Sequence, residues 1–160
     1  MGGFSSACYN EPMKVQHVNH IGINVEDLEA AKQFFIDLGF TVMGEASNEG
    51  TLLDEVTGLK DARTDLVMLT APDGEMNVEV IKYHRPTDPE GIRRRKPYAH
   101  GLGHIAFEVD DLDGIVEGLQ QKGHALMGSI QNFENVWKLC YVRGPEGVIV
   151  ELAERLDVEG

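Results

Sequence analysis

The segment from residue 15 to residue 25 is predicted to be a β-strand, because hydrophobic and polar positions alternate in its latter part. Ile21, Ile23 and Val25 fall on one face of that strand. Because successive side chains point to opposite sides of a strand, His20 falls on the other face. The first predicted element therefore directs a histidine away from its own aliphatic face.

An amphipathic helix is predicted after this strand. Asp27 is a typical N-cap residue, and Gly39 is typical of the position just past a helix end. Between them, hydrophobic residues recur at helical spacing, at Leu28, Ala31, Phe34, Phe35 and Leu38. The other elements predicted for the first half are an extended segment at 40–43, a polar loop at 44–64 with a helical turn at 51–58, and strands at 65–69 and 76–83 around a turn at 72–74. The predicted order of the first half is thus β-α-β-β-β.

The second half of the chain repeats this order. The segment 20–44 returns as the segment 104–128, 84 positions later and without a gap. Glu79 is likewise matched by Glu151, each between two aliphatic residues. The elements predicted for the second half are a strand at 103–109, a helix at 112–122 that starts at Asp111, a strand at 125–128, and a hairpin of strands 137–142 and 148–152. A repeat of this kind indicates two related structural units.

The predicted architecture is α+β, with two tandem βαβββ modules. The boundaries are a flexible N-terminal extension at 1–12, a first module at 13–85, a linker at 86–99 and a second module at 100–156. The linker contains the basic run from Arg93 to Lys96. A solvated connection is the favoured interpretation of this run, and a site for a phosphate or carboxylate of a substrate is the alternative.

Composition narrows the classes of function. A chain of 160 residues that is 42% hydrophobic has enough apolar material for a core. Its net charge of −13 argues against nucleic acid and anionic membrane surfaces as partners. No apolar run approaches the ~20 residues of a membrane span, and no secretory signal is recognisable. The two cysteines, Cys8 and Cys140, form no disulfide framework, so a reduced, cytoplasmic setting is expected, with Cys140 as a small core residue.

Each half begins with a strand that carries a histidine and ends with a strand that carries a glutamate. A single histidine or glutamate of this kind is best explained as structural or solvated, and the other histidines, His84 and His124 among them, are interpreted in that way. Four such residues at repeated positions are different, because imidazole and carboxylate groups are ligands of divalent metals. The predicted metal ligands are His20, Glu79, His104 and Glu151.

These segments resemble the vicinal oxygen chelate (VOC) superfamily, whose glyoxalase I-like fold consists of paired βαβββ modules. The resemblance covers about residues 15–156 and rests on residues 18–23, Glu79, 103–109 and 144–152. The ligand order His, Glu, His, Glu is similar to that of metal-dependent glyoxalase I enzymes. In the similar methylmalonyl-CoA epimerases the second ligand is a glutamine, where this chain has Glu79.

The resemblance implies a metal-dependent lyase or isomerase of the glyoxalase I or acyl-CoA epimerase type. Such an enzyme would hold one divalent ion (Ni, Zn, Co, Mn or Fe), act on a small molecule and remove a proton next to a metal-chelated carbonyl, with Glu151 as the catalytic base. A homodimer is expected, although the modules could pair within one chain or across two. The alternatives are a non-catalytic protein that binds a small molecule or an antibiotic, and a thiol transferase.

Overall fold

The computed structural model describes residues 14–156, which form two four-stranded sheets and three helices. The predicted α+β class with two tandem βαβββ units is confirmed. The extension predicted at 1–12, which includes Cys8, lies outside the described residues. Among residues 14–156, every helix is too short or too polar to cross a lipid bilayer.

The first sheet has the strand order β1-β4-β3-β2. β1 runs parallel to β4, and the other neighbouring strands are antiparallel. The elements of this half are β1 (His20–Asn24), α1 (Leu28–Asp37), β2 (Thr41–Glu49), α2 (Thr51–Thr57), β3 (Arg63–Thr70) and β4 (Asn77–Arg85).

The second sheet has the equivalent order β5-β8-β7-β6, again with its first strand parallel to its last. Its elements are β5 (Ile105–Glu108), α3 (Leu112–Gln121), β6 (Gln131–Phe133), β7 (Trp137–Arg143) and β8 (Ile149–Arg155). A single 3-10 turn, Pro145–Gly147, connects β7 to β8. The internal repeat of the sequence therefore corresponds to two sheets of one topology.

Helices α1 and α3 begin where the sequence predicts, because an aspartate caps the first turn of each. Asp27 Oδ1 accepts a hydrogen bond from the Ala30 N–H at 2.9 Å, and Asp111 Oδ1 accepts one from the Gly114 N–H at 3.0 Å. These caps satisfy backbone donors that have no partner within the helix. Phe34 of α1 is fully buried, as its helical spacing predicts.

Three predicted elements differ from the structure. The first strand spans only residues 20–24, and residues 14–19 have no regular structure. The predicted loop at 44–64 is wrong at its start, because β2 continues to Glu49, whereas the helical turn predicted at 51–58 is confirmed as α2. The predicted strand at 125–128 is also wrong: only a single bridge joins Leu126 to Val142, and the last strand of that sheet is β6 at 131–133. β2 and β6 are exposed edge strands, so they need no hydrophobic alternation.

The two halves pack against each other through one hydrophobic core. The ring of Phe40 meets that of Phe107 with centroids 5.4 Å apart. At the surface of this contact the Asp37 carboxylate lies 2.6 Å from the Lys122 ammonium. This ion pair, more than the Gln33 amide that also donates to Asp37, holds the pKa of the Asp37 carboxyl below its ordinary value.

Candidate functional site

The parallel pairing of β1 with β4 brings His20 next to Glu79. In this register Gly22 lies opposite Glu79, so the imidazole two residues earlier on the same face reaches the carboxylate. The His20 Nε2 atom is 3.1 Å from Glu79 Oε2. Val78 and Val80, which flank the glutamate, are fully buried on the other side of the sheet. The pair therefore lies on the face that points away from the hydrophobic core.

The second sheet repeats this arrangement. Ala106 lies opposite Glu151, and His104 Nε2 is 2.9 Å from Glu151 Oε2. The histidine side chains are 38% and 39% exposed and the glutamates 19% and 22%, so the two pairs match in burial as well as in geometry. Each pair offers one imidazole nitrogen and one carboxylate oxygen, all within hydrogen-bond distance, to a shared ligand.

The two histidines differ in the contact made by their other ring nitrogen. His20 Nδ1 is 2.7 Å from Asn19 Oδ1, an acceptor, and this contact favours a proton on Nδ1. His104 Nδ1 is instead 3.5 Å from the hydroxyl of Tyr141, which lies opposite Glu151 in the strand register. Sequence reasoning missed both supporting residues. Asn19 precedes a candidate ligand directly, and that adjacency was the only available signal for it.

Within one chain, the two pairs remain separate. No group of three or more His, Cys, Asp and Glu side chains in residues 14–156 is placed to hold a metal ion. The donor set itself fits a divalent transition metal, since two imidazole nitrogens and two carboxylate oxygens are ligands that Zn and its neighbours accept. In each pair the Nε2 atom is the ring nitrogen that faces the carboxylate. A metal held by both side chains would therefore be bound through Nε2.

A cavity of about 1110 Å³ lies between the edge of β1 and the segment that contains His104. His104 and Gly22 contribute to its wall, and the linker between the two sheets covers it. A small molecule in this cavity would lie next to the start of β5, where His104 is located.

A serine, an aspartate and a histidine also meet on the first sheet, but the aspartate lies between the other two, which does not suit nucleophilic catalysis. The Ser47 hydroxyl donates to Asp65, and Asp65 Oδ2 is 2.6 Å from His84 Nε2. These two contacts, the serine's first, hold the pKa of the Asp65 carboxyl below its ordinary value. Because the carboxylate lies between them, His84 is not placed to take the hydroxyl proton. The cluster instead joins three neighbouring strands, and its half-buried histidine is structural.

Cys140 is a core residue, as the sequence predicts. It is 3% exposed, and burial raises the pKa of its thiol. A buried thiol with a raised pKa is a poor nucleophile. Cys140 therefore takes no part in the candidate chemistry.

Comparisons with known proteins agree with this architecture. The sequence profile of the glyoxalase/bleomycin resistance protein/dioxygenase superfamily matches residues 19–141. The chain is 30% identical over 142 residues to the uncharacterized protein YaeR of Escherichia coli. This alignment covers 88% of this chain and 98% of YaeR. It is 31% identical over 112 residues to the uncharacterized protein YwkD of Bacillus subtilis, covering 69% of this chain and 75% of YwkD.

Solved structures show the same fold. A crystal structure of a glyoxalase family protein from Bacillus cereus superposes with a TM-score of 0.87 at 33% identity, over 91% of this chain and 97% of the other. The trypanothione-dependent glyoxalase I of Leishmania major superposes with a TM-score of 0.60 at 21% identity, over 88% and 87% of the two chains. At that identity the second likeness concerns the fold alone.

Proposed function

The chain belongs to the glyoxalase/bleomycin resistance protein/dioxygenase superfamily, and from this premise we propose that it is a metal-dependent lyase or isomerase of the glyoxalase I or acyl-CoA epimerase type. The observation that carries the proposal is the duplicated pair, His20 with Glu79 and His104 with Glu151, at 3.1 and 2.9 Å. Its substrate would be a small molecule with a carbonyl and a neighbouring oxygen, and its setting a reduced cytoplasm.

The proposed metal ligands are the four side chains of the two pairs. A divalent ion bound there supplies stabilisation for negative charge that develops on the carbonyl oxygen of the substrate. The histidines would contribute Nε2, because the Asn19 side-chain carbonyl oxygen favours a proton on Nδ1 of His20. His104 Nδ1 has a longer contact, with the Tyr141 hydroxyl, which can either donate or accept. Orientation of this sort fixes the tautomer that a metal requires.

A second copy of the chain is part of the proposal. The two pairs do not combine within the described part of one chain, so four ligands require either a rearrangement of that chain or a partner. A twofold homodimer supplies the partner simply, since each first-sheet pair would face the second-sheet pair of the other subunit. Two equivalent sites then form per dimer.

Glu151 is the proposed base that removes the substrate proton. Its carboxylate contacts the His104 imidazole, and Tyr141 is its neighbour on β7. The Glu151 side chain is 22% exposed, so a substrate can reach it. A bound imidazole has no free basic nitrogen directed at the substrate, whereas a carboxylate can accept a proton on one oxygen. Glu79, in the equivalent position, is the alternative base.

The test is the Glu151→Gln substitution, which keeps the shape of the side chain and one ligand oxygen but removes its basicity. Exchange of a substrate C–H proton with deuterated water should fall by about 10²–10⁴-fold. The measurement is proton NMR on metal-loaded protein with α-hydroxy-carbonyl compounds, hemithioacetals and acyl thioesters as candidates.

Metal content measured on the same samples serves as the control and should stay near that of the parent. Undiminished exchange in the glutamine variant would assign the base to Glu79 or elsewhere. If none of the candidates exchanges in the metal-loaded parent, the binding-protein alternative takes precedence.

A further inference from the structure

We propose that the cavity next to His104 binds the anionic group of a small molecule, a carboxylate or a phosphate, through the guanidinium of Arg95. This deepens the proposed function, because it specifies an acidic substrate for the same site. The anion contact itself needs no metal, and it can therefore be tested separately.

The cavity has the size and lining of a small-molecule site. Its volume is about 1110 Å³, within or just above the usual range for ligand pockets. Its wall includes the apolar side chains of Leu59, Ile92 and Leu102, which are 38%, 63% and 63% exposed. Ile92 belongs to the linker and Leu102 lies shortly after it, so this part of the chain presents apolar surface to the cavity. A ligand with a short apolar body would cover it.

The acidic groups in the cavity wall all have partners. Asp88 Oδ2 is 2.7 Å from the guanidinium of Arg93, and the Glu26 carboxylate is 3.5 Å from the ammonium of Lys82. The Glu146 carboxylate accepts hydrogen bonds of 2.7 to 2.9 Å from two backbone N–H groups just before α1. These carboxylates are therefore occupied within the protein.

Arg95 is a charged residue of this wall whose guanidinium has no carboxylate partner among residues 14–156. Its Nη2 donates to the backbone carbonyl of His100 at 2.8 Å. The remaining N–H donors of a guanidinium form a planar fork that matches a carboxylate or a phosphate. In a chain of net charge −13, this cation at the cavity is the group suited to select an anion.

The linker conformation holds Arg95 in place. A Cβ on Gly101 would lie 3.3 Å from Arg95 Nη2, so the guanidinium packs closely on that turn. Two residues earlier, the Arg93 carbonyl oxygen lies where a Cβ of Gly147 would be, at 2.3 Å. The linker backbone is thus fitted against the turn between β7 and β8. The backbone around Arg95 is held by this turn, and its guanidinium is held by the His100 carbonyl and the Gly101 turn, so less side-chain entropy is lost when it binds an anion.

The experiment compares three probes with similar alkyl chains: hexanoate, its uncharged isostere hexanamide, and hexyl phosphate. Each is titrated into the full chain in the presence of a metal chelator, and binding is followed by NMR. At least one anion should bind about tenfold more tightly than hexanamide, as expected for a charge-assisted contact. The preferred anion distinguishes a carboxylate from a phosphate.

Arg95→Gln should reduce the affinity of the anions to that of hexanamide. Arg94→Gln, which removes the same charge from a neighbour outside the cavity wall, should leave it unchanged. Equal losses in both variants would overturn the proposal, as would a parent protein without preference for anions. If Arg95→Gln does not fold, the location of the site is tested in the parent protein by changes in the NMR chemical shifts of methyl groups when a probe is added. Hexyl phosphate or hexanoate should perturb Ile92 and Leu102, and perturbations confined to other regions contradict the site.

Failure of this proposal and failure of the proposed function give different results. Anion binding without metal can be absent while the protein still binds metal and exchanges protons. Conversely, a protein that binds no metal can still prefer anions in this cavity.

Discussion

At the scale of single residues, the asymmetry between the two histidines is the feature with the clearest chemical consequence. Asn19 Oδ1 is 2.7 Å from His20 Nδ1, whereas the Tyr141 hydroxyl is 3.5 Å from His104 Nδ1. The first contact is a hydrogen bond of ordinary length, and the second is at its limit. The Nε2 lone pair of His20 is therefore the better oriented of the two for a metal.

Replacing Asn19 with Leu should lower the affinity for the divalent ion by about 10–100-fold, the usual effect of removing such a partner. Tyr141→Phe should have the smaller effect, because its contact is longer. Competition with a chromophoric chelator gives the dissociation constants without any activity measurement. Gln16→Leu, on an exposed residue of the same segment, is the matched control and should bind metal as the parent does. An Asn19→Leu variant with the affinity of that control would show that Asn19 has no such role.

The sequence was sufficient to predict the strands at which the two histidines and the two glutamates lie, because the repeat places each histidine next to an alternating aliphatic pattern, although His104 directly precedes β5. It was insufficient for Tyr141, which approaches His104 from a different strand through a pairing register that the pattern of β7 does not specify. At the position of the first sheet that lies opposite Glu79 there is a methionine, Met68. The repeat therefore gave no second example from which the tyrosine could be recognised.

At the scale of elements, the turn between β7 and β8 determines where the linker lies. Gly147 has a φ of 88°, and the Arg93 carbonyl oxygen occupies the space that a Cβ on this residue would need. The side chain of the preceding Glu146 reaches in the other direction, to the backbone before α1. One three-residue turn therefore contacts both the linker and the first half of the chain.

Gly147→Ala should destabilise the protein by about 1–3 kcal/mol more than Gly123→Ala, because the added methyl group must displace backbone. Gly123 is the matched control: its φ is 90°, the same strained region, but a Cβ there has no neighbour within 4 Å. Urea unfolding of the two variants measures the difference in free energy of unfolding. Equal destabilisation would mean that the linker moves away from the turn at no cost.

Element boundaries were predictable where local chemistry defines them and unpredictable where tertiary position does. Asp27 and Asp111 cap their helices, and both helix starts were correct. β2 is polar from Gly44 to Glu49 because it lies at the edge of its sheet, so its sequence resembles a loop. β6 is likewise an exposed edge, and its three residues carry too short a pattern to detect.

At the scale of the whole molecule, the packing of the two halves explains why the candidate ligands stay in two pairs. The shared core, with the Phe40–Phe107 contact and the Asp37–Lys122 ion pair, joins the halves on the side of the sheets that carries the helices. Both His/Glu pairs lie on the opposite faces, away from this core. The proposed dimer brings such faces together without disturbing the packing within each chain.

The most direct test of this account is the metal content of a purified heterodimer made from one His20→Ala chain and one His104→Ala chain. If each site combines the first-sheet pair of one subunit with the second-sheet pair of the other, the heterodimer contains one intact site and one site that lacks both histidines. It should then bind half the metal of the parent dimer, while each variant homodimer loses most of its metal at limiting free ion. A heterodimer that binds no more metal than the variant homodimers would contradict a site shared between subunits. A His104→Ala homodimer with the metal content of the parent would contradict the ligand assignment itself.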